Sequence, residues 1–408
     1  MTTKTVLFVA YGSGHIKMLI PVAQALAASG LGRPVVLALT TAAPAARAAG
    51  LEVVQFKDFV TPGDATALAH GRRLMAGMGA PVADAEETTA YLGLSFADLV
   101  AELGLAQAES RYAEKGRQAF LPTATLTRIL KKIRPDVVVA TNSPRAERAA
   151  IVAAGQLGIP SVCVVDLFAI DEVRWIGEAG YADRVCVLNE SVRQFLVRAG
   201  RRAEQIVVTG NPGFDGLFEK DLPERALALR KRMGWGGKRV ILWPSVIEPD
   251  VHPFNGRPGN PALPASVLNA LIRWVTARPD CVLCVRPRAG EQAIAGVTLP
   301  SSAGEDAQVV MTGQDWALAP LLHAADLVVT INSTVGLEGR LVGARVVQVL
   351  GSVLDDALPL AAYGLADESV TANGLDGALE RQIALPRHPV LQQSPATLAV
   401  CGVVTAYL

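Results

Sequence analysis

Short β-branched, apolar runs alternate along this chain with longer Ala- and Leu-rich segments, and they do so in two successive series. No other feature limits the fold as strongly. A continuous apolar run reads as a strand buried on both faces. Such strands pair in parallel, and parallel pairing needs a returning helix after each strand. The chain is therefore expected to be α/β, with two doubly wound sheets. In the first series the predicted strands are Thr5–Ala10, Pro34–Leu39, Leu51–Phe56, Asp136–Ala140, Ser161–Val165, Arg184–Leu188 and Gln205–Thr209. In the second they are Arg239–Trp243, Cys281–Val285, Gln308–Met311, Asp326–Ile331 and Val346–Leu350. A length of 408 residues suits two such domains.

The boundaries follow from breaks in the rhythm. Residues 1–217 form the expected first domain, with a mostly helical insertion at about 61–132. Residues 223–385 form the second, beyond a linker at Gly216–Pro223. Residues 386–408 are a tail, introduced by prolines and expected to pack back on the first domain. Predicted helices include Met18–Ala28, Pro223–Met233, Trp316–Ala325 and Val335–Val342.

Charge and cysteine usage narrow the function. Lys plus Arg number 38 and Asp plus Glu number 38, so the formal net charge is zero. That argues against a partner held by bulk positive charge, nucleic acid above all. No apolar stretch is long enough to span a membrane, and the run Val6–Ala10 is too short for a signal peptide. Five scattered cysteines do not make a disulfide framework. The expected place is the cytoplasm, with peripheral contact at the inner face of a membrane left open. Cys281 and Cys284 have CxxC spacing but fall on a predicted strand, where positions i and i+3 point to opposite faces. Zinc is therefore not expected, nor is another metal, because no carboxylates are paired at ligand spacing.

Ligands of open parallel sheets bind at the carboxyl ends of strands, beside helix N-termini. The residues just after each strand thus carry the functional reading. After the first strand comes Tyr11-Gly12-Ser13-Gly14-His15. Gly12 and Gly14 let the backbone turn sharply and approach a ligand. The run is neither a dinucleotide fingerprint nor a P-loop. His15, at the start of a helix, is a candidate general base or hydrogen-bonding group. After Asp326–Ile331 comes Asn332-Ser333-Thr334-Val335-Gly336-Leu337-Glu338. Its small hydroxyl residues serve either as helix caps or as a phosphate site with free N–H donors. Asn142, Ser143 and Arg145 follow another strand and Asp166 a third, with Asn189-Glu190 after a fourth. Asp166 is the best-placed carboxylate, either as a base or to orient His15. Arg286-Pro287-Arg288 either neutralises a diphosphate or flanks a turn. Arg111, Tyr112, Lys115 and Arg117 form a basic cluster in the insertion, either a solvated helix face or a contact for an anionic acceptor.

These residues resemble those of GT-B-type glycosyltransferases. Gly12-Ser13-Gly14-His15, with Pro21 and Ala23 following, is similar to the Gly-x-Gly-His turn of nucleotide-sugar transferases, among them the enzyme that adds GlcNAc to lipid I. The run Thr330–Gly351 is similar to capsule and surface-polysaccharide transferases. It also resembles the nonhydrolysing UDP-GlcNAc 2-epimerases, whose loop there is Ser-Gly-Gly followed by Glu. Val207–Asp215 is similar to the crossing point between domains in both groups. The plant-type His-Gly-Gly…Asp-Gln signature is absent. The epimerase His-Arg-x-Glu-Asn loop is replaced by Trp243-Pro244-Ser245-Val246-Ile247-Glu248. The His-Pro motif of Kdo transferases and sialyltransferases is replaced by Arg286-Pro287-Arg288.

The resemblance implies two Rossmann-like domains facing across a cleft. It implies transfer of a sugar from a nucleotide-activated donor, UDP- or other NDP-linked, to an acceptor hydroxyl in surface glycan synthesis. No metal or further cofactor is implied, and inversion is expected. Phosphate would be held by Ser333, Thr334 and the helix start at Asn332, Val335 and Gly336, with Glu338 on the ribose. Thr312 and Gly313 would form the base pocket. Gly12, Gly14, Gly210, Asn211, Ser245, Arg286 and Arg288 would complete the donor site. Asn142, Ser143, Arg145, Arg111 and Arg117 would meet the acceptor, a glycan, lipid-linked glycan or small molecule, and His15 or Asp166 would take its proton. Three alternatives remain: a UDP-GlcNAc 2-epimerase-like isomerase, a transferase using CMP- or CDP-linked donors, and an inactive nucleotide-sugar-binding protein.

Overall fold

The structure is a computed structural model describing residues 3–12, 14–39, 41–78, 84–252, 256–288, 291, 296–297, 307–313, 316–390 and 395–408. It divides into two units, Met1–Asp215 together with Gln393–Leu408, and Gly216–Gln392.

The first unit holds seven strands: β1 (Thr5–Ala10), β2 (Arg33–Ala38), β3 (Glu52–Val54), β4 (Val137–Thr141), β5 (Ser161–Val164), β6 (Arg184–Val187) and β7 (Ile206–Val208). All pair in parallel, in the order β3-β2-β1-β4-β5-β6-β7. Its helices are α1 (Gly14–Ser29), α2 (Ala42–Ala48), α3 (Ala65–Ala76), α4 (Ala85–Leu103), α5 (Leu105–Lys115), α6 (Thr123–Ile133), α7 (Ala146–Leu157), α8 (Val173–Ile176) and α9 (Glu190–Arg198). The second unit begins with α10 (Leu222–Arg232). Its strands are β8 (Arg239–Pro244), β9 (Cys281–Arg286), β10 (Val309–Met311), β11 (Leu327–Thr330), β12 (Arg345–Leu350) and β13 (Glu368–Thr371). Between and after them lie α11 (Leu263–Thr276), α12 (Leu318–Ala324), α13 (Thr334–Leu341) and α14 (Leu375–Ile383). This sheet is also all parallel, in the order β10-β9-β8-β11-β12-β13. A last helix, α15 (Ala396–Thr405), belongs to the first unit.

Both sheets reverse their strand order once beside the first strand of the unit. The switch lies between β1 and β4 in one and between β8 and β11 in the other. Helices on either side of a switch leave the sheet toward opposite faces, which opens a crevice at the carboxyl ends of those strands.

Burial follows the apolar runs. Val6 to Ala10 of β1 are wholly buried, and Val6, Phe8 and Ala10 share a core with Ile16, Leu19, Val22 and Leu26 of α1. Val400 and Val404 of α15 join the same core. The second core gathers Ile241, Trp243, Val267, Leu271, Leu283, Val285, Val347 and Leu379. The insertion supplies α3, α4 and α5 and leads into α6. At Gly71 and Gly93 the backbones of α3 and α4 touch, since a Cβ on Gly71 would strike the Thr89 carbonyl and one on Gly93 that of Ala67.

Three expectations are corrected. The tail is divided between the units: among the described residues Pro386 to Val390 belong to the second. There Arg387 donates to the Leu322, Ala325 and Val342 carbonyls, and the His388 N–H donates to Gly343 O at 2.8 Å. The described residues from Pro395 on belong to the first unit, where Asp215 accepts from the N–H groups of Ala396 and Thr397 at 2.8 Å each. The boundary accordingly falls after Asp215, because Leu217 is held to His323 of the second unit by a 2.8 Å hydrogen bond. The strand β13 was not expected, since Glu-Ser-Val-Thr is too polar to read as a buried run. It closes one edge of its sheet, where half-buried polar residues are tolerated. No helix among the described residues is long and apolar enough to cross a membrane.

Candidate active site

At the first unit's switch, β1 runs into Tyr11 and Gly12, and α1 starts at Gly14 with His15 in its first turn. Ser13 lies outside the described residues. Gly14 is exposed, and a Cβ there would meet nothing. Across the switch, β4 leads into Asn142–Arg145, and α7 carries Glu147 in its first turn. Glu147 is 0 % exposed. Its Oε1 accepts the Tyr11 N–H at 2.6 Å, and its Oε2 has no partner. His15 Nδ1 is likewise buried without a partner. Burial pushes the Glu147 carboxyl up, and the His15 imidazole opposes that shift more than any other group. The Arg145 guanidinium lies over the Tyr11 ring at 4.8 Å. The Tyr91 hydroxyl, raised by burial, is influenced by Arg145, Glu147, Arg117 and Tyr11. The insertion therefore brings Tyr91 of α4 and Arg117 of the turn Gly116–Ala119 to this strand end.

The neighbouring ends are locked to each other. Asn142 Nδ2 donates to Asp166 Oδ1 at 3.0 Å, and the Asp166 N–H returns a bond to Asn142 Oδ1 at 3.0 Å. The Leu167 N–H also donates to Asp166 Oδ1 at 2.7 Å. Asn211 Nδ2 donates to the Asp166 carbonyl at 2.6 Å and its Oδ1 accepts the Gly213 N–H at 2.8 Å. Asp166 Oδ1 is thus engaged by the Asn142 amide and the Leu167 N–H. Asn142 is engaged in the same pair, and Ser143 is buried behind it. Asn211 ties the end of β7 to that of β5, and Gly210 before it has φ +79°, which suits glycine. Asn189 caps α9 by accepting the Val192 N–H at 3.0 Å. The basic cluster of the insertion splits: Arg111 is exposed on α5, while the Arg117 charge acts on the Tyr91 hydroxyl.

Nothing in the sequence pattern marks Glu172. It precedes α8, and burial followed by the nearby Asp166 charge pushes its carboxyl up to about 7. Glu147 was also missed. An acid in the first turn of a helix is ordinary dipole complement, and only the three-dimensional pairing sets it apart.

In the second unit Ser333 caps α13, its Oγ accepting the Val335 N–H at 3.3 Å, and its own N–H donates to Thr330 Oγ1 at 3.2 Å. Gly336 and Gly339 let the helix lie directly on β11, because a Cβ on either would strike Thr330 or Val328. That contact sets the helix start against the strand end. Thr334 is exposed, and its Oγ1 donates to Glu338 Oε1 at 3.2 Å. Asn332 Nδ2 donates to Ser352 Oγ at 3.1 Å, and Ser352 Oγ donates to Glu248 Oε2 at 2.6 Å. Glu248, 4 % exposed, accepts the Val353 N–H at 2.8 Å on its other oxygen. The segment after β8 is so tied to the one after β12. Ser245 is buried, its N–H bonded to Arg286 O at 2.8 Å. The two arginines are held within their own surroundings: Arg286 donates to the Trp316 carbonyl at 2.9 Å, and Arg288 pairs with Glu291 at 3.4 Å. Thr312 is buried with its Oγ1 unpartnered, and Gly313 is exposed. Among the described residues no group of three or more His, Cys, Asp or Glu side chains is arranged to hold a metal ion.

No family model and no curated protein matches the chain. Solved structures do, over nearly its whole length. The fold is similar to that of S. aureus MnaA in complex with UDP, with a TM-score of 0.59, 11 % identity, and coverage of 99 % of this chain and 97 % of that one. It is similar to UDP-GlcNAc 2-epimerase from Neisseria meningitidis bound to UDP-GlcNAc, with a TM-score of 0.59, 11 % identity, and coverage of 98 % and 100 %. The glycotransferase of kitacinnamycin matches with a TM-score of 0.52, 16 % identity, and coverage of 100 % and 95 %. The two-domain Rossmann-like fold is therefore one that epimerases and glycosyltransferases share, as the sequence resemblance implied. At these identities the likeness is one of fold.

Proposed function

We propose that this protein is a nucleotide-sugar glycosyltransferase in which the second unit takes the donor and the first takes the acceptor and supplies the base. The observation that carries this reading is His15, set at the β1/β4 switch with a buried carboxylate beside it. In this reading the imidazole takes the proton of an acceptor hydroxyl while that oxygen attacks the anomeric carbon. The bond to the nucleoside diphosphate breaks, and the phosphate oxygen leaves with the electron pair, inverting the centre. The start of α13, with Ser333 and Thr334, takes up the leaving charge through N–H groups, hydroxyls and the helix dipole. No metal is needed for that step. A UDP-linked donor is the first choice, since two proteins of similar fold bind UDP or UDP-GlcNAc. The acceptor is a hydroxyl of a glycan, a lipid-linked glycan or a small molecule.

Asp166 and Glu172 favour a second reading. A carboxyl raised to about 7 beside another carboxylate is suited to moving a proton at a sugar carbon. That is the chemistry of a 2-epimerase, which needs no acceptor. Thermal shifts with UDP, GDP, dTDP, CMP and CDP, with and without Mg²⁺, name the nucleotide. Incubation of UDP-GlcNAc in D₂O then separates the readings. Deuterium at C2 without any acceptor supports epimerisation and rules against transfer. Acceptor-dependent release of UDP without exchange supports transfer.

A further inference from the structure

We infer that the acceptor is anionic, and that Arg145 after β4 and Arg117 from the insertion hold a phosphate group that it carries. This inference deepens the reading of the first unit as the acceptor side and rests on it. Arg145 stands just before α7, half-buried, with its guanidinium 4.8 Å over the Tyr11 ring. Stacking uses the flat face of a guanidinium and leaves its N–H edge free to meet an oxyanion. That edge has no taker in the protein. Arg145 Nε is buried without a partner, and no ion pair or hydrogen bond reaches the side chain among the described residues. Glu147, two residues on, does not take it: its Oε1 holds the Tyr11 N–H, and its Oε2 is itself unpartnered. A buried donor without a bond is costly, so the edge calls for an acceptor atom from outside the chain.

Arg117 lies in the turn Gly116–Ala119, half-buried and likewise without an ion pair among the described residues. The turn is held in place by Phe120, whose ring meets that of Tyr91 edge-on at 6.1 Å, while Tyr91 meets Phe56 at 5.3 Å. The Arg117 and Arg145 charges both act on the Tyr91 hydroxyl. Two cations from separate elements are therefore brought to one strand end with no carboxylate between them. Like charges so placed repel, and a shared anion removes the repulsion. Other enclosed arginines show the contrast. Arg201 donates to the Ile176 and Glu178 carbonyls at 3.0 and 2.7 Å, and Arg230 to Asp326 at 3.1 Å. A neutral acceptor would use neither free guanidinium. Two of them match a phosphate, with its about two negative charges and three oxygens, better than a single carboxylate.

The probe is inorganic phosphate, added to protein saturated with UDP so that the donor site is filled. Arginine Nε–H NMR signals, assigned by their loss in Arg145→Gln and Arg117→Gln, should shift for both residues as phosphate is added. Calorimetry should show a phosphate site that either substitution weakens by roughly 10–100-fold, with the Kd for UDP unchanged. Acetate should bind more weakly than phosphate, and acetate binding as tightly overturns the choice of phosphate. Arginine signals indifferent to phosphate overturn the inference. So does a loss of UDP affinity in either variant, which would put these arginines on the donor's diphosphate. If phosphate shifts both arginines but UDP does not bind the wild type, the anion site stands and it is the transferase reading that fails. Absence of a phosphate site in the wild type overturns the inference even if the variants do not fold.

Discussion

The two units share one strand order but treat its switch point differently. In the first, the strand ends carry titratable groups with two buried atoms unpartnered, His15 Nδ1 and Glu147 Oε2. In the second, the corresponding ends carry neutral hydroxyls at a helix start, and the buried carboxylate there, Glu248, has both oxygens bonded. The same topology therefore carries titratable groups at one switch and capping hydroxyls at the other. On the proposed function, chemistry belongs to the first unit and nucleotide binding to the second.

The sharpest way to break this division is at His15. His15→Ala should lower kcat by roughly 10²–10⁴-fold and leave the Kd for UDP unchanged, as read by initial rates and calorimetry. The converse lesion is Ser333→Asp. Aspartate caps a helix as well as serine does, so the melting temperature should hold. Its charge should repel a phosphate and replace a donor hydroxyl, weakening UDP by roughly 10–100-fold. Unchanged UDP affinity in Ser333→Asp would remove the second unit's share of the scheme. If both variants damage the same parameter, the units do not divide the work.

Gly93→Ala tests whether the insertion unique to the first unit is built into its fold. The new methyl would strike the Ala67 carbonyl across the helix crossing, and unfolding in urea should show a loss of about 1–3 kcal/mol. A neutral result would mean that the crossing gives way and does not set the place of Tyr91. The smallest effect concerns Glu172. Its carboxyl, raised to about 7, favours the folded state while protonated. Its contribution is full below the ordinary carboxyl value near 4.5 and is lost as pH rises through about 7. Thermal melts from pH 4.5 to 8 should show wild type losing stability relative to Glu172→Gln over that window. Parallel curves would show that Glu172 is not perturbed in solution, and the epimerase reading would lose its support.

Much of the fold was legible because buried parallel strands announce themselves as uninterrupted apolar runs. Thr5–Ala10 and Arg345–Leu350 stand within a residue of their expected limits. The polar edge strand Glu368–Thr371 carries no such signal. Site positions were legible where the rule is local: the residues after a strand, and small hydroxyl residues before a helix. Partnership was not. Asp166 reads from the sequence as a free carboxylate, and Asn142 on the adjacent strand end binds its Oδ1. Glu147 looked like a routine first-turn acid, and its significance depends on a turn that is remote in sequence. The Arg288–Glu291 pair, only three residues apart, could have been anticipated from spacing.

The closing helix α15 has a consequence for the order in which the molecule is made. Val400 and Val404 complete the core around α1, and Asp215 holds the first N–H groups of α15. The ribosome therefore delivers this last piece of the first unit only after it has delivered the whole of the second. Until then α1 lacks the Val400 and Val404 side chains that complete its core. A free peptide spanning Ala396–Leu408, added to a chain stopped before it, should bind at α1 and finish the fold from outside.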